Sequence, residues 1–65
     1  MSDSAIQLAE HVRQSCLQAA LQAYEQARMD GLCDEGALEF ALDAIRRLDM
    51  GKIMTDFHTH PKETP

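Results

Sequence analysis

The stretch Asp30-Gly31-Leu32-Cys33-Asp34 separates two long, periodic, apolar-rich segments, and it constrains the fold more than any other feature. Glycine takes the left-handed conformation that closes a helix without a Cβ clash, and Leu32 just beyond it can fold back onto the last turn. Asp34 can offer its carboxylate to the free N–H groups that open the next helix. Because the connection is short, the sequence predicts two antiparallel helices lying side by side.

The first helix is predicted over residues 4–29, which contain no glycine or proline and are rich in good helix formers. At about 100° per residue, small side chains form a heptad-like stripe, with a strip of larger apolar side chains beside it and a polar face opposite. The stripe of small side chains consists of Ala5, Ala9, Val12, Cys16, Ala20, Ala23 and Ala27. The strip of larger apolar side chains consists of Ile6, Leu17, Leu21 and Tyr24. The polar face consists of Gln7, His11, Gln14, Gln18, Gln22 and Glu25.

The second helix is predicted over residues 34–50, with Gly51 ending it as Gly31 ends the first. Its acidic residues lie near the N-terminus and its basic residues near the C-terminus, as the helix dipole favours. Asp43 and Arg47 are one turn apart, so they can form an ion pair. Residues 1–51 are therefore predicted to form one helical hairpin, and residues 52–65 a short irregular tail. Within that tail, the apolar residues that can still dock on the helices as a short turn are Ile53, Met54 and Phe57.

The apolar arc of each predicted helix is wider than one neighbouring helix can cover. A chain of 65 residues also has a marginal core, because it buries only about 60% of its unfolded surface. We therefore predict an all-α hairpin that forms a homodimer with the packing of a four-helix bundle; a larger heteromeric protein partner is the alternative. The residues expected at the interface are Val12, Cys16, Leu17, Leu21, Tyr24, Leu38, Leu42 and Ile45.

Charge and hydropathy exclude several classes of partner. The net charge of −5 and the scattered basic residues argue against binding of nucleic acid or anionic lipid. The longest apolar runs are three residues, and no secretory signal is present, so we expect no membrane span and a cytoplasmic location. Cys16 and Cys33 should lie about 20 Å apart along the first helix, too far for a disulfide, so both thiols are expected to be reduced.

The thiol of Cys33 is one candidate for chemistry. A helix N-terminus favours a thiolate, whereas the neighbouring Asp30, Asp34 and Glu35 oppose another negative charge, so packing of Cys33 into the end of the bundle is expected. The sequence contains no phosphate-binding loop, no Ser/His/Asp set and no inward-facing Glu-x-x-His pair. We therefore predict a small regulatory or adaptor module that binds protein, is not an enzyme and needs no cofactor.

The string Asp56-Phe57-His58-Thr59-His60 is the second candidate. It resembles the first metal-binding strand of metal-dependent hydrolases of the amidohydrolase and related barrel types. On a strand, alternation would point both imidazoles to one side, where they can share an ion. Those enzymes need a barrel several times this length, so the activity is not expected here. Binding of a transition metal by His58 and His60, together with Asp56, is the alternative function.

Three further runs carry a second resemblance: Ala23-Tyr24-Glu25-Gln26-Ala27, Gly31-Leu32-Cys33-Asp34-Glu35-Gly36 and Ala44-Ile45-Arg46-Arg47-Leu48-Asp49. They are similar to a group of short, uncharacterised bacterial helical proteins over most of residues 5 to 50. This resemblance implies a compact bacterial helical module. Some members of the group carry an acetyltransferase label, but this chain lacks the length, the sheet and the acetyl-CoA pyrophosphate loop for that activity.

Overall fold

The computed structural model describes residues 3–59 and contains three helices: α1 (Asp3–Met29), α2 (Asp34–Arg46) and α3 (Met50–Thr59). No strand occurs within that range. The all-α prediction is confirmed, and α1 agrees closely with the helix predicted over residues 4–29. Two helices were expected, however, and three are present.

The third helix corrects the predicted end of the second one. Helix α2 stops at Arg46 rather than at residue 50, and Gly51 lies inside α3 instead of ending α2. Asp49 starts α3: the backbone N–H of Lys52 donates to Asp49 Oδ1 at 3.0 Å, and that of Ile53 donates to the Asp49 carbonyl at 3.1 Å. Because an aspartate in this position satisfies an N–H group of the first turn, residues 52–59 are helical and the prediction of an irregular segment there was wrong. The rest of the predicted tail, residues 60–65, lies outside the described residues.

The turn that follows α1 closes at Gly31 as predicted. Gly31 has a φ of +96°, the one positive φ within residues 3–59. Its N–H donates to the Arg28 carbonyl and the N–H of Leu32 donates to the Ala27 carbonyl, both at 3.0 Å. This pair of hydrogen bonds is the Schellman motif, which satisfies carbonyl groups left free at the end of a helix. The Leu32 side chain lies against the first turn of α2, where a Cβ built on Gly36 would be 3.3 Å from Leu32 Cδ2.

The chain divides into two compact units, which are described separately. The α2 unit contains residues 16–48, namely the second half of α1, the turn and α2. Its fully packed positions are small: Ala27, Ala37 and Ala41 are buried, and no side chain larger than alanine is buried in this unit. Alanine faces let two helix backbones approach closely, but they remove little apolar surface from water.

The α3 unit contains the first half of α1 together with α3. Ile53 is its buried apolar residue, at 7% exposure. The ring centroids of His11 and Phe57 are 5.2 Å apart with the planes tilted by 45°, and both side chains are half-buried. The sequence predicted His11 on the polar face of α1, but its half-buried ring lies beside Phe57. Ala5 and Ala9, predicted to share the small-residue stripe, are exposed.

Candidate interaction surface

Asp34 connects the two helices of the α2 unit. Its Oδ1 accepts a hydrogen bond from the Tyr24 hydroxyl at 3.2 Å and forms an ion pair with Arg28 Nη1 at 2.7 Å. The sequence predicted that this carboxylate would cap α2. Instead, Cys33 is the N-cap residue, no side chain caps the helix, and the Ala37 N–H donates to the Cys33 carbonyl at 2.8 Å. The carboxylate reaches back to α1 because a hydroxyl and a guanidinium are presented there.

This contact identifies which strips of α1 and α2 border the same surface. At about 100° per residue, Leu17, Leu21 and Tyr24 follow one strip of α1, and Leu38, Leu42 and Ile45 follow the strip of α2 that begins at Asp34. Since Tyr24 touches Asp34, the two strips lie on one side of the α2 unit. We call these six side chains the leucine surface: Leu17, Leu21, Tyr24, Leu38, Leu42 and Ile45.

The leucines of this surface are poorly covered. Leu17 is 50% exposed, Leu21 60%, Leu38 53% and Leu42 46%, whereas Tyr24 and Ile45 are half-buried. Four leucines with about half of their surface in water are thus exposed on one side of a small unit, and such exposed apolar surface is typical of an interaction site. Six of the eight predicted interface residues therefore belong to strips that border the same side of the α2 unit.

The other two predicted interface residues lie elsewhere. Cys16 is half-buried on the small-residue side of α1, in the same unit. Val12 is half-buried and belongs to the α3 unit.

Phe40 lies about 160° around α2 from Leu42, and both side chains border one depression together with Glu39 and Arg46. Phe40 is 56% exposed and lines a second depression together with Ala23, Ala44 and Arg47. Arg47 Nε pairs with Asp43 Oδ2 at 2.7 Å, as the spacing predicted, so charged side chains border this depression. Phe40 provides a large exposed apolar side chain outside the leucine surface, on the same helix.

The predicted metal ligands do not converge in the described part of the chain. Asp56 and His58 are both exposed on α3, two residues apart, and this spacing separates side chains by about 200° around a helix. The strand alternation that the hydrolase resemblance requires is therefore absent, and His58 instead stacks edge-on against Phe57 with centroids 5.6 Å apart. His60 lies outside the described residues. Within residues 3–59 no three His, Cys, Asp or Glu side chains are grouped so as to hold a metal ion.

The Cys33 thiol is exposed and free in the turn of the single chain, and its packing into the end of an assembled bundle stays a prediction. Cys16 is also free. Within residues 3–59 neither thiol is hydrogen-bonded to a histidine.

Two features of the structure were not predicted from the sequence, for different reasons. The contact of His11 with Phe57 joins residues that are far apart in the chain, so no local sequence pattern predicts it. Asp49 did carry a local signal, because aspartate is a preferred N-cap residue. The apolar spacing from Ile53 to Phe57, one helical turn, pointed the same way.

No protein-family model matches this chain, and neither does any curated protein or solved structure. Of the helices within residues 3–59, none has the length and hydropathy needed to cross a bilayer.

Proposed function

We propose that this protein is a small, non-catalytic interaction module that acts as a homodimer through the leucine surface. The observation that carries the proposal is the half exposure of Leu17, Leu21, Leu38 and Leu42 beside a core of alanines. In this proposal the second half of α1 and α2 form an antiparallel hairpin, and two hairpins pack face to face as a four-helix bundle.

The energetics favour covering this surface. Fully burying a leucine stabilises a protein by about 1.5–3 kcal/mol, so covering the remaining half of one contributes about 0.7–1.5 kcal/mol. The eight leucines of two copies then contribute about 6–12 kcal/mol. Association itself costs about 4–15 kcal/mol, which is of the same order. Covering Tyr24 and Ile45 adds to that gain. Burial of the leucines therefore offsets the cost of association, and the net affinity depends on the further contacts of the interface.

The proposed setting is the cytoplasm of a bacterium, as a regulatory or adaptor protein. The free thiols of Cys16 and Cys33 suit a reducing compartment. The resemblance to short bacterial helical proteins supports a bacterial origin. The acidic charge of −5 supports a protein partner over a nucleic acid.

The test is the solution mass measured by light scattering over a concentration series, with reductant present. We expect a mass approaching twice the 7.3 kDa of the chain as concentration rises. A mass of one chain throughout, with helical circular dichroism retained, would overturn the homodimer. In that case the leucine surface would have to serve a different protein.

A further inference from the structure

We propose that α3 binds Cu(I), a soft monovalent metal ion, on its exposed side. The ligands are the thioether of Met54 and the imidazole of His58, with the thioether of Met50 as a third donor. We call these three side chains the α3 donor strip. The proposal concerns α3 alone and is independent of the homodimer.

The helical conformation of residues 50–59 decides which side chains share a side with His58. Residues four apart on a helix are separated by about 40° around its axis and about 6 Å along it. Met50, Met54 and His58 follow one another at this spacing, so they lie in one strip along α3. Asp56, which strand alternation would place beside His58, is instead about 200° away around the helix.

The α3 donor strip is open to solvent. Met54 is 38% exposed and Met50 is 46% exposed. The edge contact of His58 with Phe57 leaves the His58 side chain exposed as well. Gly51 adds no side chain beside Met54, so an ion has room to approach this flank of the strip.

The donor atoms of the strip determine which class of ion fits. Thioether sulfur is a soft donor that selects Cu(I), and imidazole nitrogen also binds copper. Side chains on a helix lean towards its N-terminus, which brings the His58 ring towards the turn that carries Met54. At this spacing the two side chains are neighbours, so their sulfur and nitrogen atoms can reach one ion. Zn²⁺ prefers imidazole, thiolate and carboxylate, and the strip offers it only one ligand of these kinds.

The test is a titration of the full chain with silver nitrate in chloride-free buffer, because Ag(I) has the charge and softness of Cu(I). Cys16→Ala and Cys33→Ser are combined in this chain, since thiolates also bind soft ions. Circular dichroism shows that the helices persist. In the wild-type chain the same NMR changes should follow once both thiols are saturated, so the result does not depend on these substitutions.

The readout is the NMR spectrum of isotope-labelled methionine methyl groups and histidine rings. We expect the signals of Met50, Met54 and His58 to shift together and to saturate at one ion per chain. The methyl group of Met29 should not shift over that range, although Met29 is 79% exposed on α1. Anaerobic titration with Cu(I) should shift the same three signals.

Met54→Leu and Met29→Leu form a matched pair, because each replaces a thioether by an apolar side chain of similar volume. Second-shell partners of a metal already contribute about 10–100-fold to its affinity, so loss of a ligand should weaken Ag(I) binding at least about tenfold. We expect this loss for Met54→Leu and for His58→Gln, and no measurable change for Met29→Leu.

Four results would overturn the site. A Met29 signal that shifts at the same silver concentration as Met54 would indicate binding to any exposed thioether. Unchanged affinity in Met54→Leu would remove the thioether as a ligand. Zn²⁺ binding as tightly as Ag(I) would contradict selection by soft donors. Absence of the shifts with Cu(I) would exclude the proposed ion. None of these readouts depends on whether the chain dimerises.

Discussion

Replacing Leu42 by glutamate tests the leucine surface directly. Leu42 retains 46% of its accessible surface in the isolated chain, so the substitution should leave the fold of the monomer largely intact. In the proposed dimer the same side chain is covered in both copies. The change should therefore weaken association much more than it lowers the stability of one chain.

The expected size follows from the exposed fraction. Burying a whole leucine is worth about 1.5–3 kcal/mol, so the exposed part of Leu42 contributes about 0.7–1.4 kcal/mol per copy. Two copies lose about 1.5–3 kcal/mol, and each new carboxylate is also placed against the partner's leucines. We expect a total near 3 kcal/mol, which weakens the dimer about 100-fold.

The assay is the dimer dissociation constant from sedimentation equilibrium, with circular dichroism to show that the helices persist. Phe40→Glu is the matched control, because Phe40 is 56% exposed on the same helix but lies outside the leucine surface. It should change the dissociation constant by no more than about threefold. If Leu42→Glu dimerises like the wild type, or Phe40→Glu weakens the dimer equally, the placement of the interface is refuted.

Further predictions concern the stability of the chain at a fixed protein concentration, measured by urea unfolding unless stated. Gly31→Ala should lower the free energy of unfolding by about 1–2 kcal/mol, because alanine is strained at a φ of +96°. Gly36→Ala should leave it nearly unchanged, because the better helix propensity of alanine offsets the 3.3 Å approach of its Cβ to the flexible Leu32 side chain. A double-mutant cycle with Arg28→Ala and Asp34→Ala should give a coupling of about 0.2–1 kcal/mol that shrinks in high salt; a coupling of zero would show that the 2.7 Å ion pair does not stabilise the turn. Asp49→Ala should lower the free energy of unfolding by about 1 kcal/mol and speed amide hydrogen exchange in α3. Unchanged exchange in α3 would contradict the role of Asp49 as the helix cap.

The features predicted correctly depend on residues close together in the chain. The end of α1 follows from a glycine and the carbonyl groups of the preceding turn, and the Asp43–Arg47 pair follows from a spacing of one turn. The grouping of Leu17 with Leu21, and of Leu38 with Leu42, likewise follows from helical periodicity. That these two strips border one surface became visible only from the contact between Tyr24 and Asp34.

The error at α3 arose from a choice between two local signals. Gly51 was interpreted as the end of α2, although Asp49 two residues earlier is the better predictor of a new helix. A glycine near the start of a helix lowers its propensity by only about 1 kcal/mol, and a cap together with apolar residues that pack offsets this cost. Ile53 supplies such packing, since it is buried.

By itself the sequence determined an all-helical chain, the extent of α1, the closing of its last turn at Gly31 and an excess of apolar surface. These properties arise from backbone preferences and from periodicity, which act over a few residues. Only the tertiary structure decided that Asp34 pairs with Arg28 instead of capping α2, that Phe57 lies beside His11, and which leucines remain exposed. His11 and Phe57 are far apart in the chain, and all three outcomes depend on how the helices pack.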